Sequence, residues 1–313
     1  MDQLLSVLRS AGESTRLRII SLLSKGELTV GEMVQILSQS QPRVSRHLKL
    51  MGESGVLDRF QEGTQVFYRL AQTGIAGKIN GVITPLINPK SSIVADDLAR
   101  LEAIRQERSE RAQEYFAANA LNWERIRSLY VAEDQVEQAL LNLQGEIRVG
   151  SVLDVGTGTG RMLELFAPLA DRAVGIDVSR DMLSIARSKL SDIDQSDCQV
   201  RLGDMYDLGV DDDSQDLILF HQVLHFAENP QSAIKEAARA VKHGGAILIA
   251  DFAPHTMEFL RDEHAHRRLG FADDEVKAWA DSAGLSVKSS TYLDGGELRV
   301  VIWKLSKELR DGI

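Results

Sequence analysis

Cysteine is almost missing from this 313-residue chain: Cys198 is the only one. One thiol cannot close an internal disulfide, supply a multi-thiolate metal site or run the several-cysteine chemistry of arsenic methylation, and a thiol-based metal sensor is excluded with them. Long hydrophobic runs are missing too. The longest, such as Ala246 to Ala250, fall far short of the roughly 18 residues a membrane helix needs. Asp2 spoils a basic signal-peptide start, so a cytoplasmic protein with no membrane partner is expected. A composition of 43% hydrophobic and 26% charged residues excludes disordered and fibrous classes, and the length predicts about two domains. The net charge of −10 is unevenly spread: residues 1–90 carry 11 Lys and Arg against 7 Asp and Glu, leaving 25 against 39 for the remainder. A basic leading segment on an acidic chain is expected where only that segment touches a polyanion.

Within that segment the periodicity predicts two short helices (Leu4, Leu5, Leu8; then Leu17, Ile20, Leu23), the second capped by Ser14. Thr29 to Glu32 reads as a capping box, opening a helix through Val34 and Leu37. Ser38-Gln39-Ser40 breaks it, Pro42 suits a first helical turn, and Val44, Leu48 and Met51 recur at i, i+4, i+7 to about Glu53. This is a helix-turn-helix pattern. Leu57 to Phe60 and Val66 to Leu70, around a turn at Glu62-Gly63-Thr64, predict a two-stranded hairpin, and the whole is a winged helix. With Val44, Leu48 and Met51 facing inward, Arg43, Arg46 and Lys49 point toward the opposite side, where they can reach phosphates or base edges. Gln41 and Ser45 lie near the same entry end, and Arg59, Thr64 and Gln65 sit on the wing. A solvated charged face would explain three cations alone; helix, break, hairpin and charge asymmetry together favour double-stranded DNA.

Asn88-Pro89 ends this module, and residues 91–130 form a polar helical stretch, mostly charged or amide from Arg105 to Glu114. It reads as a linker whose later part, with Tyr115, Phe116, Trp123 and Tyr130, packs against a second domain. The expected domains are 1–90, a helical linker and cap over 91–145, and 146–313. From Val149 onward, apolar runs at 152–155, 173–177, 217–220 and 246–250 alternate with helical segments at 161–170, 180–190 and 231–241. That alternation predicts an α/β domain with a parallel sheet covered on both faces.

Asp154 precedes a glycine-rich turn, Gly156-Thr157-Gly158-Thr159-Gly160, where backbone must approach a ligand. A dinucleotide fingerprint would need glycine at 161, where the chain has Arg161. Asp177 closes the next strand, where a carboxylate can accept both ribose hydroxyls. Asp204 follows the third and can accept from an adenine amino group, while Met182 and Met205 offer apolar contact to the ring. His221 and His225 follow the fourth strand. His255, His264, His266, Arg267 and Arg268 follow the fifth, as a general base, as anchors for an anionic substrate, or as an ordinary polar helix. An i, i+2 histidine pair on a helix points in different directions, so no metal is expected.

Two resemblances follow. Arg16 to Ile20 and Gln41 to Lys49 resemble the ArsR/SmtB-type winged-helix repressors over residues 1 to about 85. The resemblance implies a homodimer on inverted-repeat operator DNA. Metal-sensing members carry a cysteine pair in the helix before the recognition helix; Thr29 to Met33 holds none, nor does the helix near 72–83 hold His or Asp, so a different inducer is implied. Residues 149–305, with His243-Gly244-Gly245 before the fifth strand, resemble the Rossmann-like class I S-adenosylmethionine-dependent methyltransferases. This implies a seven-stranded sheet whose last strand, near Arg299 to Leu305, is antiparallel, and S-adenosylmethionine or S-adenosylhomocysteine as ligand. The base-methylating signature, Asp/Asn-Pro-Pro-aromatic, is absent after the fourth strand, and no Pro-Cys pair exists for covalent cytosine attack. DNA methylation is therefore rejected.

The whole chain most resembles fusions of the two, in particular the S-adenosylhomocysteine-responsive repressors of methionine-cycle genes. The expected function is a transcription regulator sensing either form of the ligand. The alternative is an active methyltransferase on a small-molecule acceptor, with Asp154, Gly156, Gly158, Gly160, Asp177, Met182, Asp204, Met205 and His221 holding the cofactor and His221, His225, His255 or His266 acting in catalysis. A weaker alternative makes residues 1–85 only a dimerisation module.

Overall fold

Leu17 to Leu23 and Val44 to Met51 carry their apolar residues at helical spacing, and in the computed structural model both segments turn those residues into one core. The structure describes residues 1–62, 64–71, 73–120, 132–144, 149–190, 198–295 and 297–308, which divide into two units, Met1–Glu110 and Arg111–Ile313. Trp123, Tyr130 and Gly63 lie outside the described residues. Among those described, no helix is long and apolar enough to cross a membrane.

The first unit contains α1 (Asp2–Ala11), α2 (Ser14–Leu23), β1 (Leu28–Thr29), α3 (Val30–Leu37), α4 (Gln41–Glu53), β2 (Leu57–Glu62), β3 (Gln65–Leu70) and α5 (Gly74–Ile83). The division falls within α6 (Ser92–Asn119). Ser14 does not cap α2. It is the first helical residue, and the cap is Glu13, whose carboxylate accepts the Arg16 N–H at 3.0 Å. The longer carboxylate reaches an N–H three residues on and lies beside a helix N-terminus, where negative charge is favoured. The capping box at α3 is formed: Glu32 N–H donates to Thr29 Oγ1 at 3.3 Å and Thr29 N–H to Glu32 Oε2 at 2.7 Å. Ser38 ends α3 in the left-handed region at φ 52°, letting α4 start in a new direction. The wing has three strands, because Leu28–Thr29 adds to the far side of β3 (β1-β3-β2). Val7, Ile19, Ile20, Met33, Ile36, Val44, Leu48 and Met51 form the core.

Charges in α6 that suggest a spacer are bonded instead. Arg18 makes a bidentate pair with Asp97 (2.6 and 2.7 Å) and donates to the Leu37 carbonyl, while Arg100 donates to the Ile36 carbonyl. Arg108 pairs with Glu32 and Arg105 with the Lys25 carbonyl. Both ends of α3 are thereby tied to α6: the Ile36 carbonyl to Arg100 and the first-turn Glu32 to Arg108.

The second unit contains α7 (Glu133–Gln144), β4 (Val149–Val155), α8 (Arg161–Phe166), β5 (Ala170–Asp177), α9 (Arg180–Leu190), β6 (Cys198–Leu202), β7 (Gln215–His221), α10 (Pro230–Ala240), β8 (Val241–Phe252), α11 (Phe259–His264), α12 (Asp273–Ser282), β9 (Leu285–Gly295) and β10 (Leu298–Lys307). The strands form one seven-stranded sheet, β6-β5-β4-β7-β8-β10-β9, in which β10 runs antiparallel to both neighbours. Alternate residues feed opposite faces. Leu153, Val155, Ile218, Phe220, Ile247 and Ile249 pack with α10 and α12, whereas Val152, Leu217, Leu219, Leu248 and Ala250 pack with α7 and α8. His243 to Gly245 lie inside β8 rather than before it. A Cβ at Gly245 would come within 2.9 Å of the Asp216 carbonyl, so glycine allows β8 to pass the irregular start of β7, where the register shifts. The sheet reverses its order between β4 and β7, which opens a crevice at the strands' carboxyl ends, the position where such sheets bind ligands.

Candidate functional site

In the first unit all eight residues singled out for DNA are exposed: Gln41, Arg43, Ser45, Arg46 and Lys49 on α4, and Arg59, Thr64 and Gln65 on the wing. Val44, Leu48 and Met51 are fully buried on the other side of α4. Lys49 lies 3.8 Å from Glu53, both well exposed, a weak pair that leaves the cation available. His47, 3.7 Å from Glu13, is held below the ordinary histidine range. Burial comes first among the causes, and the cations Arg16, Arg43 and Arg46 act in the same direction against Glu13. That field belongs to a basic face.

In the second unit the crevice is lined by the loop after β4. Gly156, Gly158 and Gly160 all have positive φ (70°, 53° and 86°), which is why glycine recurs at every second position. A Cβ at Gly156 would lie 2.3 Å from Val223 Cγ2. The loop is pinned beneath: Gly156 and Thr157 N–H donate to the Ile176 carbonyl, and Thr157 Oγ1 donates to Asp154 Oδ2 at 2.6 Å. Asp154, 1% exposed, therefore braces the loop from inside.

Asp177 accepts the Gly158 N–H on one oxygen and the Ser179 N–H on the other, each at 2.8 Å. Burial pushes its carboxyl up, while the N–H bonds from Ser179, Gly158 and Val178 pull it down. Each oxygen retains a further lone pair for another donor. Asp204 is exposed and accepts the Tyr206 N–H. Met182 is buried and Met205 half-buried, so Met182 packs inward, while Val178, next to Asp177, leaves an apolar surface 47% exposed. Thr159 Oγ1 is buried within the glycine loop with no hydrogen-bond partner among the described residues. These residues could hold a nucleoside: backbone free of Cβ, carboxylates at successive strand ends, an apolar surface, and a buried hydroxyl left to pair.

The histidines separate into two groups. His221, the last residue of β7, is buried with Nε2 3.2 Å from Glu133 Oε1; the next residue, Gln222, is left-handed at φ 50°. His225, His255 and His266 gather around Asp251 and Phe252, while His264 contacts Tyr115 and Phe259. His225 Nδ1 lies 2.8 Å from Asp251 Oδ1, and its ring stacks on His266 at 4.0 Å. Asp251 is fully buried and also accepts the His225 and Phe252 N–H groups. Tyr115 OH lies 2.7 Å from His264 Nδ1, and Phe116 packs edge-on against Phe226; this last part of α6 belongs to the second unit. Burial, with His225 next among the causes, holds His255 down at about 4 and His266 well below its ordinary value; burial lowers His264. His255 and His266 are therefore neutral at neutral pH.

His264 and His266 do not share a helix. Helix α11 ends at His264 and Ala265 is left-handed, which sends the two rings to different partners; no metal-binding group occurs among the described residues. Arg268 is buried in a pair with Glu275, and Arg267 lies 3.2 Å from Glu228, so both proposed anion anchors are already engaged. Glu133 and Asp251 carry no sequence signal that marks them, since each becomes significant only through a histidine on another element.

A winged helix with an exposed cationic helix face, and an open α/β sheet with a glycine loop at its switch point, define the class: a DNA-binding helix-turn-helix unit joined to a class I methyltransferase fold. Residues 13–59 match the model of the bacterial regulatory proteins of the arsR family, and residues 153–249 match a methyltransferase domain. The biofilm growth-associated repressor of Xylella fastidiosa (strain Temecula1) is 30% identical over 83 residues, 26% of this chain and 73% of that protein. The arsenical resistance operon repressor of Escherichia coli (strain K12) is 50% identical over 60 residues, 19% of this chain and 51% of that protein. The uncharacterized methyltransferase YcgJ of Bacillus subtilis (strain 168) is 30% identical over 104 residues, 33% of this chain and 41% of that protein. Its crystal structure superposes with a TM-score of 0.50 at 18% identity, covering 56% of this chain and all of that one, a likeness of fold alone. The chain belongs to the arsR family of bacterial regulatory proteins, with a methyltransferase domain in the same polypeptide. It spans about half or less of the length of several curated relatives it matches.

Proposed function

We propose that the protein is a cytoplasmic transcriptional repressor, acting as a homodimer on operator DNA, whose second unit binds S-adenosylmethionine or S-adenosylhomocysteine as a signal for genes of the methionine cycle. The observation that carries this reading is the glycine loop of the second unit, three left-handed glycines bonded through Gly158 to Asp177, in one chain with an arsR-family module. In this reading Gly156, Gly158 and Gly160 give backbone access. Asp177 takes the ribose hydroxyls, Asp204 the adenine amino group, Met205 and Val178 the ring, and His221 the methionine end, while Asp154 and Met182 support the loop from within. Arg43, Arg46, Gln41 and Ser45 meet base edges or phosphates, and Lys49, Arg59, Thr64 and Gln65 the backbone. Residues 91–145 connect and cap.

Exposed Leu4, Leu5 and Leu8 on α1, with Val82 on α5 and Leu86 just after it, supply an apolar face for a second copy, in keeping with the palindromic operators that dimeric helix-turn-helix proteins bind. The arginines that α6 applies to both ends of α3 support a route by which a ligand-dependent change in α6 alters operator affinity. A coupling of about 1–3 kcal/mol changes that affinity roughly 5- to 150-fold. The test is operator binding by fluorescence anisotropy with and without each compound. Unchanged affinity at saturating concentrations of both removes the sensor reading.

A second reading, an active methyltransferase on a small molecule, is favoured by the His225–Asp251 pair. A carboxylate fixing Nδ1 orients an imidazole as a general base, and neutral His255 and His266 beside it could relay a proton. In this reading replacing His225 by Gln abolishes methyl transfer to an acceptor while ligand binding survives.

A further inference from the structure

Two glutamates of α7 lie on the stripe that faces the sheet. Glu133, Val136, Glu137 and Leu140 recur at i, i+3, i+4, i+7, and Val136 and Leu140 are fully buried in the core on that face. A carboxylate on such a stripe is costly unless it is paired. Glu137 makes a bidentate pair with Arg161, at 2.6 and 2.7 Å, and Arg161 is the residue after Gly160. Glu133 contacts His221, at the end of β7. Val155 is level with Phe220 across β4 and β7, so Gly156, the first residue after β4, follows at the level of His221, the last of β7. The two glutamates thus reach both sides of the glycine loop.

The acids at the ends of β5 and β6 lie on one side of β4, and His221 and Glu133 on the other. If the nucleoside is held by Asp177 and Asp204, the sulfur and the amino-acid tail extend toward β7. We propose that Glu133 faces this sulfur end and sets the balance between the two ligand forms, its negative charge favouring the sulfonium over the neutral thioether and His221 moderating it. The inference rests on the reading that the second unit binds these compounds. The two ligands differ by one methyl and one positive charge. The Glu133 side chain is only 16% exposed, and in so poorly solvated a site a carboxylate a few ångströms away changes their affinity ratio by about tenfold or more.

Calorimetry on the full chain with S-adenosylmethionine and S-adenosylhomocysteine tests it. Glu133→Gln should weaken the sulfonium compound about tenfold relative to the thioether. Glu133→Ala should shift the ratio the same way, and Glu133→Asp, which keeps the charge, should hold it near wild type. Equal changes for both ligands in the Gln and Ala variants, or no change, overturn the proposal while leaving the binding reading intact. Wild-type protein that binds neither compound overturns both.

Discussion

Replacing Gly156 by Ala tests the account of the glycine loop quantitatively. The new methyl sits at φ 70° and would lie 2.3 Å from Val223 Cγ2 and 2.9 Å from its Cβ. A left-handed alanine costs roughly 1–2 kcal/mol, and forcing a methyl into filled space roughly 1–3 more. Reduced freedom of the unfolded chain returns about 0.5, so the net loss is about 2–4 kcal/mol. Gly284→Ala supplies the control: its φ is 74°, but nothing lies within 4 Å of the added Cβ, so only the backbone cost applies, and with the same return from the unfolded chain the net loss is about 0.5–1.5 kcal/mol. The tryptophans, at 123, 279 and 303, all fall in the second unit, so the thermal shift of their fluorescence reports that unit alone. Gly156→Ala should lower its midpoint by roughly 5–15 °C, and Gly284→Ala by a few degrees. Adding Val223→Ala removes the atom at 2.3 Å and leaves the one at 2.9 Å. Gly156→Ala should then cost about 1–2 kcal/mol less than in the wild-type background. Equal shifts for Gly156→Ala and Gly284→Ala, or strict additivity with Val223→Ala, would refute the packing argument.

Removing the Asp97 carboxylate leaves Arg18 and Arg100 beside a buried site, so Asp97→Ala should destabilise the first unit by about 2–4 kcal/mol, read as earlier loss of operator binding on heating. Arg46→Ala and Lys49→Ala should each weaken DNA binding and flatten the plot of log affinity against log salt by about 0.9 per lost phosphate contact; an unchanged slope would mean neither touches phosphate. His255 is held at about 4 in the fold against about 6.5 unfolded. The unfolded chain takes up the extra proton, so this contribution to stability is complete above about pH 6.5 and is lost as pH falls toward 4. After allowance for solvent around this half-buried ring, about 1–2 kcal/mol should go. The Trp-monitored midpoint should therefore fall less between pH 7 and 5 in His255→Gln than in wild type.

Much of the fold was legible because its signals are local. The stripe of Val44, Leu48 and Met51, the Thr29–Glu32 capping box and the Ser38 break each lie within a few residues, and each appears where the spacing puts it. The apolar runs became β4, β5, β7 and β8 because strands buried on both faces need little besides apolar residues. Ser14 failed as a cap because Ser and Glu side by side both offer oxygens, and backbone geometry chose between them. The third wing strand was hidden because two residues carry no periodicity.

The sequence by itself determined the two-part organisation, the helix-turn-helix, the order of strands and helices, and the glycine spacing, all set by side chains against their own neighbouring backbone. Only the tertiary structure decided which partner each charge meets. Asp97 finds Arg18 79 residues away, Arg108 finds Glu32 76 away, and Asp251 fixes His225 from the adjacent strand. Glu133 sits beside His221 because α7 packs its apolar stripe on the sheet face that His221 ends. Burial makes such groups costly without a partner, and folding brings the partner to them.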